Sequence, residues 1–525
     1  MADNPYLDQI CANLPRILAL FDADRTSSSY GMGDRYYWAW GLIDFGNATF
    51  QGAAHGMARL WRAGLWPFPT SKEHFYERMD AMFEAAKRLT RKNGSLEEAF
   101  PNEGSYCVTA LVAYDLLCTT DLLKEGIPED KMHRWTATIA PMIEYLIRAD
   151  ETHAIVSNHL AAAVGALLRW HRLTGHKTAT QKARFQLDKI LHYQSKEGWF
   201  KEYEGADPGY QSLCTYFLAD VHKQRPDWGL LEPLCRSIHF LWHFAHPDGS
   251  FGGLYGSRCT RFYYPAGVKA LAKQIPQAAA LDEFMANSIA QKQVVTLSTM
   301  DEPNLIPMFN AYVLAAVIEK ERQTVKKPES LEQRVPCKER QPMRRHYPKA
   351  GLWLDRGSTH YTIISTHKGG VLYHFSEGNP PIINAGVVVR HPHARLGSTQ
   401  SYNSCNIVHQ QGDQLEITSQ ISAMPKRLPD PFQFIILRLL SITVFHSAVV
   451  REWIKRCLVN LLITRRPIWP IRNLRIIRFG KELTVKDKTF LAPGYEVVKH
   501  IDTYVPIHMA SQGYWQSQDE EGYDS

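Results

Sequence analysis

The chain has 525 residues, of which 45% are hydrophobic and 11% aromatic. This composition supports large apolar cores and excludes a chain that is disordered over most of its length. At about 150 residues per domain, the length allows roughly two to four domains. The nine cysteines form no CxxC pair, which favours reduced, mostly buried thiols over a disulfide framework or a zinc ribbon.

The net charge of +7 is concentrated in one segment. Between Phe432 and Lys481 there are ten Lys or Arg residues and one acid, Glu452, so this segment carries +9 and the rest of the chain −2. Its apolar stretches are shorter than the roughly 20 residues that span a bilayer. We predict a basic amphipathic element in peripheral contact with an anionic membrane surface. The alternatives are core elements with solvated arginines, or a basic groove for an acidic polymer.

Hydrophobic periodicity predicts about a dozen amphipathic helices in the first two-thirds of the chain. They lie near residues 5–22, 52–64, 72–91, 103–118, 129–149, 157–174, 178–193, 209–223, 229–244, 262–273, 279–292 and 305–321. No strict sequence repeat is visible, which disfavours an ordinary repeat array. We therefore expect an (α/α) toroid, closed or incomplete, of about six helix hairpins over residues 1–321.

The amino-acid composition changes after the last predicted helix. Residues 322–350 are charged and contain proline, which is typical of a linker. Residues 351–515 are rich in β-branched and aromatic residues with period-2 stretches, which predicts an antiparallel β-sandwich. The basic segment 432–481 is expected to be an insertion in this domain, and residues 516–525 form an acidic tail.

Polar residues stand at the start of two predicted helices. Asn158 and His159 open the helix SNHLAAAVGALL, and Tyr210 follows in EGADPGY. If the first pair is structural, Ser157 or Asn158 caps the helix. If it is chemical, an amide and an imidazole offer hydrogen-bond donors to a developing negative charge, and a tyrosine can move a proton.

A helical ring followed by a β-sandwich, with an Asn-His pair, a DPGY motif and a histidine-bearing first β segment, resembles the heparinase II/III-like polysaccharide lyases. This group includes alginate and heparan lyases and pairs an (α/α) toroid with an antiparallel β-sheet domain. The resemblance implies that Asn158 neutralises the uronate carboxylate, that His159 is the adjacent histidine and that Tyr210 is the catalytic tyrosine.

The resemblance also implies a catalytic histidine from the β domain. His360, His367 and His374 are the candidates, and the acidic residue that commonly follows this histidine in the family is absent after all three. We prefer His360 because it stands at the entry to the strand YTIIST. His367, in the turn THKGG, is the second choice.

The implied reaction is β-elimination in an acidic, uronate-containing polysaccharide. It removes the proton on C5, whose acidity depends on neutralising the neighbouring carboxylate. Tyr210, with an ordinary pKa of about 10, needs cationic neighbours to act as a base near neutral pH. Arg258 and Arg261 are the candidates for these cations and for a carboxylate clamp, with Tyr264 as a further substrate contact.

Other polar positions are candidates for binding. Arg35 and Trp38 lie among aromatic residues, a composition suited to stacking on sugar rings, and Glu103 opens a helix. We expect the reaction to require no cofactor. The β domain also contains candidate ligands for a structural metal ion, namely His391, His393 and His409.

Three other functions remain open. The same C5 chemistry without elimination gives a uronate epimerase, and two carboxylates in the toroid would give a glycoside hydrolase. The candidate carboxylates are Glu103, Glu202, Glu204 and Asp207. The third is a non-catalytic polysaccharide-binding protein. The sequence has no P-loop, GxGxxG, GxSxG or HExxH motif, and we predict no nucleic-acid partner.

The first 25 residues form an amphipathic pattern without a basic start or a long apolar stretch. We therefore expect a cytoplasmic protein, held peripherally at the inner face of the membrane by its basic segment. A role beside the synthesis of a cell-surface polysaccharide, such as a capsule or exopolysaccharide, fits that location.

Overall fold

The computed structural model describes residues 4–41, 43–151, 154–323, 334–424, 430–445, 447–459, 468–479 and 483–498. The N-terminal part of the chain is helical, and antiparallel β-sheets follow in the C-terminal part, as the sequence predicts. Across the described ranges there are 15 α-helices and 12 β-strands.

All twelve predicted helices are confirmed, and a four-residue helix, α2, adds to them. The helices of the N-terminal part are α1 Pro5–Leu18, α2 Arg35–Trp38, α3 Ala53–Arg62, α4 Lys72–Leu89, α5 Tyr106–Leu123, α6 Glu129–Arg148, α7 Ser157–Thr174, α8 Lys177–Tyr193, α9 Pro208–Gln224, α10 Leu231–Leu241, α11 Pro265–Leu271, α12 Pro276–Ala290 and α13 Glu302–Gln323.

Six of these helices close into an inner ring. In the order α3, α5, α7, α9, α11 and α13, each packs against the next, and α13 returns to pack against α3. The helices α4, α6, α8, α10, α12 and α1 lie outside this ring, packed on the inner helices and on one another. The toroid is therefore closed, with six inner and six outer helices.

Composition explains which helices are inside. Helix α5 is apolar on all sides and buries nearly its whole length, because inner helices contact neighbours on every side. Outer helices bury a single stripe, as α8 does with Ala179, Ala183 and Leu187. The segment Tyr106–Gly126 is long and apolar enough to cross a membrane by those criteria alone, but 83% of its most apolar window is buried in the ring.

Inner and outer helices alternate along the chain, so the six inner helices run in the same direction. Their N-termini, with the segments leading into them, lie at one end of the ring, which we call the mouth. The N-terminal end of a helix carries a partial positive charge. The mouth thus collects six such ends.

Two sheets form the C-terminal domain. Their strands are β1 Met343–Tyr347, β2 Leu352–Arg356, β3 His360–Ser365, β4 Val371–Ser376, β5 Ile382–Asn384, β6 Val388–Arg390, β7 Leu396–Ser398, β8 Ile407–Gln411, β9 Gln414–Ala423, β10 Ile468–Arg478, β11 Thr484–Phe490 and β12 Glu496–Val497. The first sheet has the order β1-β2-β3-β4-β5. The second has the order β11-β10-β9-β7-β6-β12, with β8 paired to β9.

The first sheet lies between the toroid and the second sheet. On β3, Tyr361 and Ile363 belong to the core shared with the toroid, whereas Ile364 packs with Leu415 and Ile417 of the second sheet. This alternation follows from the period-2 geometry of a strand. The predicted sandwich is confirmed, and one of its faces rests on the helical ring.

Two predicted boundaries differ from the structure. Strand β1 lies inside residues 322–350, the range predicted as a linker. The predicted insertion 432–481 is shorter than expected, because β10 is a paired strand of the second sheet. The inserted helices are α14 Pro431–Thr443 and α15 Ala448–Val459. The predicted acidic tail, residues 516–525, lies outside the described residues.

Ring closure requires a close approach of α9 and α11. A Cβ atom on Gly267 would lie 2.6 Å from the backbone nitrogen and Cα of Tyr216. We expect Gly267→Val to force these helices apart and to lower the free energy of unfolding by about 3 kcal/mol. The matched control is Ala270→Val, three residues along the same helix and exposed. Urea unfolding followed by far-ultraviolet circular dichroism compares the two, and equal effects would contradict the packing argument.

Candidate functional site

The asparagine at the start of α7 does not act as a helix cap. Among the described residues, no side chain caps α7. Ser157 instead donates to the carbonyl of Lys201 at 2.8 Å, and Asn158 donates through Nδ2 to Oε2 of Glu202 at 2.8 Å. Both contacts join α7 to the segment leading into α9. Asn158 is 2% exposed, so its amide is fixed by a buried polar contact.

Glu202 is a buried carboxylic acid with an unusual pKa. Burial raises its pKa to about 7, against the opposing effects of Arg258, His159 and the Asn158 hydrogen bond. A carboxyl group in this range can both donate and accept a proton near neutral pH.

His159 is held by an acid that the sequence did not single out. Its Nδ1 lies 2.7 Å from Oε1 of Glu151, and its side chain is 17% exposed. Burial alone would lower the pKa of His159, but Cys107 and Glu151 beside it raise that pKa well above the usual value for histidine. The contact with the Glu151 carboxylate favours the protonated form of the imidazole.

Asp207 fixes the start of α9 and the segment leading into α11. It is fully buried and accepts the backbone N–H groups of Tyr210 at 3.1 Å and Arg258 at 2.9 Å. The hydroxyl of Thr260 donates to it as well. One carboxylate therefore sets the relative positions of Tyr210 and Arg258. This is a structural role, in place of the hydrolytic role considered from the sequence.

Arg258 is buried against two tyrosine rings. Its guanidinium carbon lies 4.5 Å from the ring centre of Tyr203 and 5.2 Å from that of Tyr210. Burial raises the pKa of Tyr210 to about 12, and the Arg258 cation is the main effect that lowers it. Tyr203 has a φ of +56°, a conformation that is costly for a tyrosine and that places it beside Arg258.

The structure thus brings together four of the predicted site residues and adds others. Asn158, His159, Glu202, Tyr210 and Arg258 form what we call the Tyr210 cluster, at the mouth of the ring between α7 and α9. Glu202 was considered only as a hydrolase acid. Cys107, Glu151 and Tyr203 carry no sequence signal that separates them from other loop and helix residues.

The β domain approaches the cluster through a turn and a loop. Lys368 donates through Nζ to the carbonyl of Gly256 at 3.0 Å, beside Arg258. His367 lies with Nδ1 3.0 Å from the hydroxyl of Tyr402, and Tyr402 packs directly on Gly205. His367, the second choice from the sequence, is therefore linked through one side chain to the segment that carries Glu202.

The preferred histidine, His360, is not part of the cluster. Its Nε2 lies 2.8 Å from Oδ2 of Asp355. It shares the face of β3 with Ile364, which points to the second sheet and away from the toroid. The prediction of a catalytic His360 is corrected on this ground. The third candidate, His374, lies near His360 and bonds to Thr362 at 2.8 Å.

Two further predicted binding residues support the fold. Arg261 lies beside Tyr373, whose hydroxyl accepts the backbone N–H of Leu254 at 3.1 Å, at the junction of the toroid and the first sheet. Tyr264 is 1% exposed, and its backbone N–H donates to Oγ of Ser212 at 2.8 Å. A ring this buried does not stack on a sugar.

The remaining candidates lie in the segments that lead to the mouth. The exposed Arg35 guanidinium lies over the ring of Trp38, 5.0 Å from its centre, and Trp38 donates to the carbonyl of Leu20 at 2.9 Å. Glu103 accepts the backbone N–H of Ala99 at 2.8 Å and thereby shapes the segment before α5. Glu204 is half-buried near Tyr402.

The predicted metal site is not formed. In the part of the chain that the structure describes, no group of three or more His, Cys, Asp or Glu side chains is placed to hold a metal ion. His409 pairs with Glu416 on β9, whereas His391 and His393 follow β6 near the far end of the same sheet. Strand pairing therefore separates the three histidines.

No protein-family model matches the sequence, and no curated protein does so either. Solved structures with related architecture include a chondroitin AC lyase of Streptomyces coelicolor in complex with chondroitin sulphate, with 10% identity, a TM-score of 0.48 and coverage of 81% of this chain and 64% of that chain. A Paenibacillus xanthan lyase gives 10% identity, a TM-score of 0.48 and coverages of 80% and 45%.

A cellobiose 2-epimerase of Bacillus thermoamylovorans gives 11% identity, a TM-score of 0.43 and coverage of 61% of this chain and 100% of that chain. All three TM-scores lie below 0.5. The assignment of a closed toroid therefore rests on the helix contacts themselves.

The raised pKa of Glu202 predicts a pH-dependent stability. An unfolded glutamate has a pKa of about 4.3 and the folded group about 7, so the native chain loses stability as the pH rises between these values. Glu202→Gln cannot ionise and still accepts the Asn158 amide. We expect it to be more stable than the wild type above pH 7, by up to about 3 kcal/mol, and to lose this advantage near pH 4.

Urea unfolding at several pH values measures this difference. Glu377→Gln, which changes an exposed carboxylate, is the control and should follow the wild type. A constant difference between Glu202→Gln and the wild type from pH 5 to pH 8 would contradict the assignment.

Proposed function

We propose that this chain is a polysaccharide lyase that cleaves a uronic-acid-containing polysaccharide by β-elimination. The observation that carries the proposal is the burial of Arg258 against the Tyr210 ring, with Asn158 and His159, each held by a glutamate, on the neighbouring inner helix. The proposed base, a cation that offsets part of the effect of burial on its pKa and two proposed donors for a carboxylate lie in one cluster.

The position of the cluster suits an acidic substrate. Asn158 and His159 lie in the first turn of α7, and Tyr210 lies in the first turn of α9. The segment with Arg258 leads into α11. Positive helix ends and a buried guanidinium favour a carboxylate at this place. Three neighbouring acids, Glu151, Glu202 and Asp207, hold donors within the cluster.

Neutralising the substrate carboxylate is the first chemical requirement. The Asn158 amide has two N–H groups, of which one is held by Glu202, so the second has a fixed direction. His159, held through Nδ1 by Glu151, is the second proposed donor. A well-placed donor to a developing oxyanion contributes about 3 kcal/mol to lowering the barrier.

Moving the C5 proton is the second requirement. Tyr210 in its ionised form accepts this proton. The same hydroxyl then donates it to the departing glycosidic oxygen, so that one group acts first as a base and then as an acid. Arg258 offsets part of the effect of burial on the pKa of Tyr210, which lies at about 12 in the free chain. From the β domain, we assign His367 as the supporting histidine, because it lies toward the toroid.

The heparinase II/III-like assignment is part of the same proposal. It is supported by the adjacent Asn158 and His159, and by Tyr210 in the DPGY motif that begins with the helix-capping Asp207. A cell-surface polysaccharide, such as a capsule or exopolysaccharide, is the substrate class that we propose.

One observation favours a second function. Glu202, with a pKa of about 7, has the property required of the general acid of a glycoside hydrolase. Elimination creates an unsaturated uronate that absorbs in the low ultraviolet, whereas hydrolysis and epimerisation do not. Absorbance during incubation with a panel of uronate-containing polysaccharides distinguishes these reactions.

Tyr210→Phe removes the hydroxyl and keeps the ring. Because the hydroxyl is the proposed base and acid, we expect kcat to fall by roughly 10² to 10⁴. Tyr193→Phe, on the outer helix α8 and 40% exposed, is the matched control and should retain full activity. Initial rates of ultraviolet absorbance measure both variants. Full lyase activity in Tyr210→Phe would show that the site assignment is wrong.

Arg258→Met tests how the base is activated. Loss of the cation leaves burial unopposed, so the pKa of Tyr210 rises and the basic form is reached only at higher pH. We expect the pH profile of kcat/KM to shift toward alkaline pH. A purely structural role for Arg258 would lower the activity equally at all pH values, without moving the profile.

A further inference from the structure

The helices α14 and α15 are inserted between strands β9 and β10 and pack on the mouth of the toroid. The side chain of Asn102 donates to the carbonyl of Ser441 at 2.9 Å, and Arg438 pairs with Asp44 at 2.8 Å. Phe445 lies against Phe100, with ring centres 5.5 Å apart. These contacts use one face of α14 and attach it to the segments that lead into α3 and α5.

The opposite face of α14 is apolar and, among the residues that the structure describes, exposed. Its outer stripe consists of residues spaced i, i+3, i+4, i+7 and i+10, which share one side of a helix. These are Phe432, Ile435, Ile436, Leu439 and Ile442, with exposed fractions of 69%, 56%, 43%, 58% and 68%. A helix that binds the toroid on one side and presents five large apolar residues on the other has a second binding surface.

Helix α15 also exposes apolar, aromatic and basic residues. Val449 is 80% exposed and Trp453, one turn later, is 63% exposed, and Arg456 follows on the same side. Residues 431–459 contain four Lys or Arg residues and one acid, a net charge of +3. A tryptophan and an arginine beside an apolar stripe are typical of a helix lying at the boundary of lipid headgroups and acyl chains.

We propose that α14 and α15 dock this protein on an anionic membrane surface, with the outer stripe in the acyl boundary. Helix α14 has 13 residues and is about 20 Å long, too short to cross the roughly 30 Å hydrocarbon layer, so it lies in the plane of the interface. Its capping box, formed by Asp430 and Gln433, satisfies its N-terminal backbone without the membrane.

Charge decides between a membrane and a second copy of the chain. A symmetric dimer places the same patch of both chains face to face, which would bring two segments of net charge +3 together. Anionic lipid headgroups attract that charge. Docking also brings the mouth of the ring close to the membrane surface, and the proposal holds whether or not the mouth has lyase activity.

Flotation of the full chain with lipid vesicles tests the proposal. The probes are vesicles of phosphatidylcholine alone and vesicles that also contain phosphatidylglycerol. The test variant is Ile435→Glu/Leu439→Glu. The matched control is Ile407→Glu/Phe185→Glu, which adds the same charge at two apolar positions that are each 57% exposed elsewhere on the surface. Circular dichroism verifies that both variants are folded.

We expect the wild type and the control variant to float with the anionic vesicles, and the α14 variant to bind at least tenfold more weakly. Equal binding of the α14 variant and the wild type would overturn the proposal. So would a wild type that binds neither kind of vesicle. Sedimentation velocity without lipid adds a third test, because a wild-type dimer that the α14 variant converts to monomer would assign the stripe to a second copy of the chain.

Discussion

The hydrogen bonds of the buried Asp207 carboxylate hold the candidate site together. This single group caps α9 through the N–H of Tyr210 and also accepts the N–H of Arg258 from the next segment of the mouth. A fully buried carboxylate without such partners would cost several kcal/mol, so each donor is needed. The same bonds that stabilise the carboxylate place a cation against the ring of the proposed base. Stability and chemistry therefore depend on one set of contacts.

Ring closure determines where these contacts lie in the molecule. Because all six inner helices run in the same direction, their positive ends and the segments before them converge at the mouth. The β-sandwich contributes His367 and Lys368 from the turn after β3, and the inserted α14 packs on the segments before α3 and α5. The parts of the chain that carry charged groups, aromatic side chains and the exposed apolar stripe therefore lie around one end of the toroid.

The sequence predicts the elements better than the contacts between them. Helical periodicity predicts the twelve helices of the N-terminal part other than α2, and alternation predicts the sandwich. Strand β10 was assigned to the basic insertion, although its buried Ile471 and Ile477 and exposed Arg472 and Arg478 show a period of two. The contact of Asn158 with Glu202 is not predictable from the sequence, because the two residues come together only when α7 and α9 pack in the ring. The sequence favours His360 for its position at the entry to β3, but the face of β3 that meets the toroid is decided by sheet packing, which the sequence does not show.

Product masses from a reaction in ¹⁸O-labelled water test the central claim most directly. Elimination breaks the glycosidic bond without adding water, so the masses of the two products should sum to that of the substrate, with no ¹⁸O in either. Incorporation of one labelled water per cleavage would show hydrolysis, with Glu202 as the acid. That result would contradict the assignment of Tyr210 as the group that moves the C5 proton.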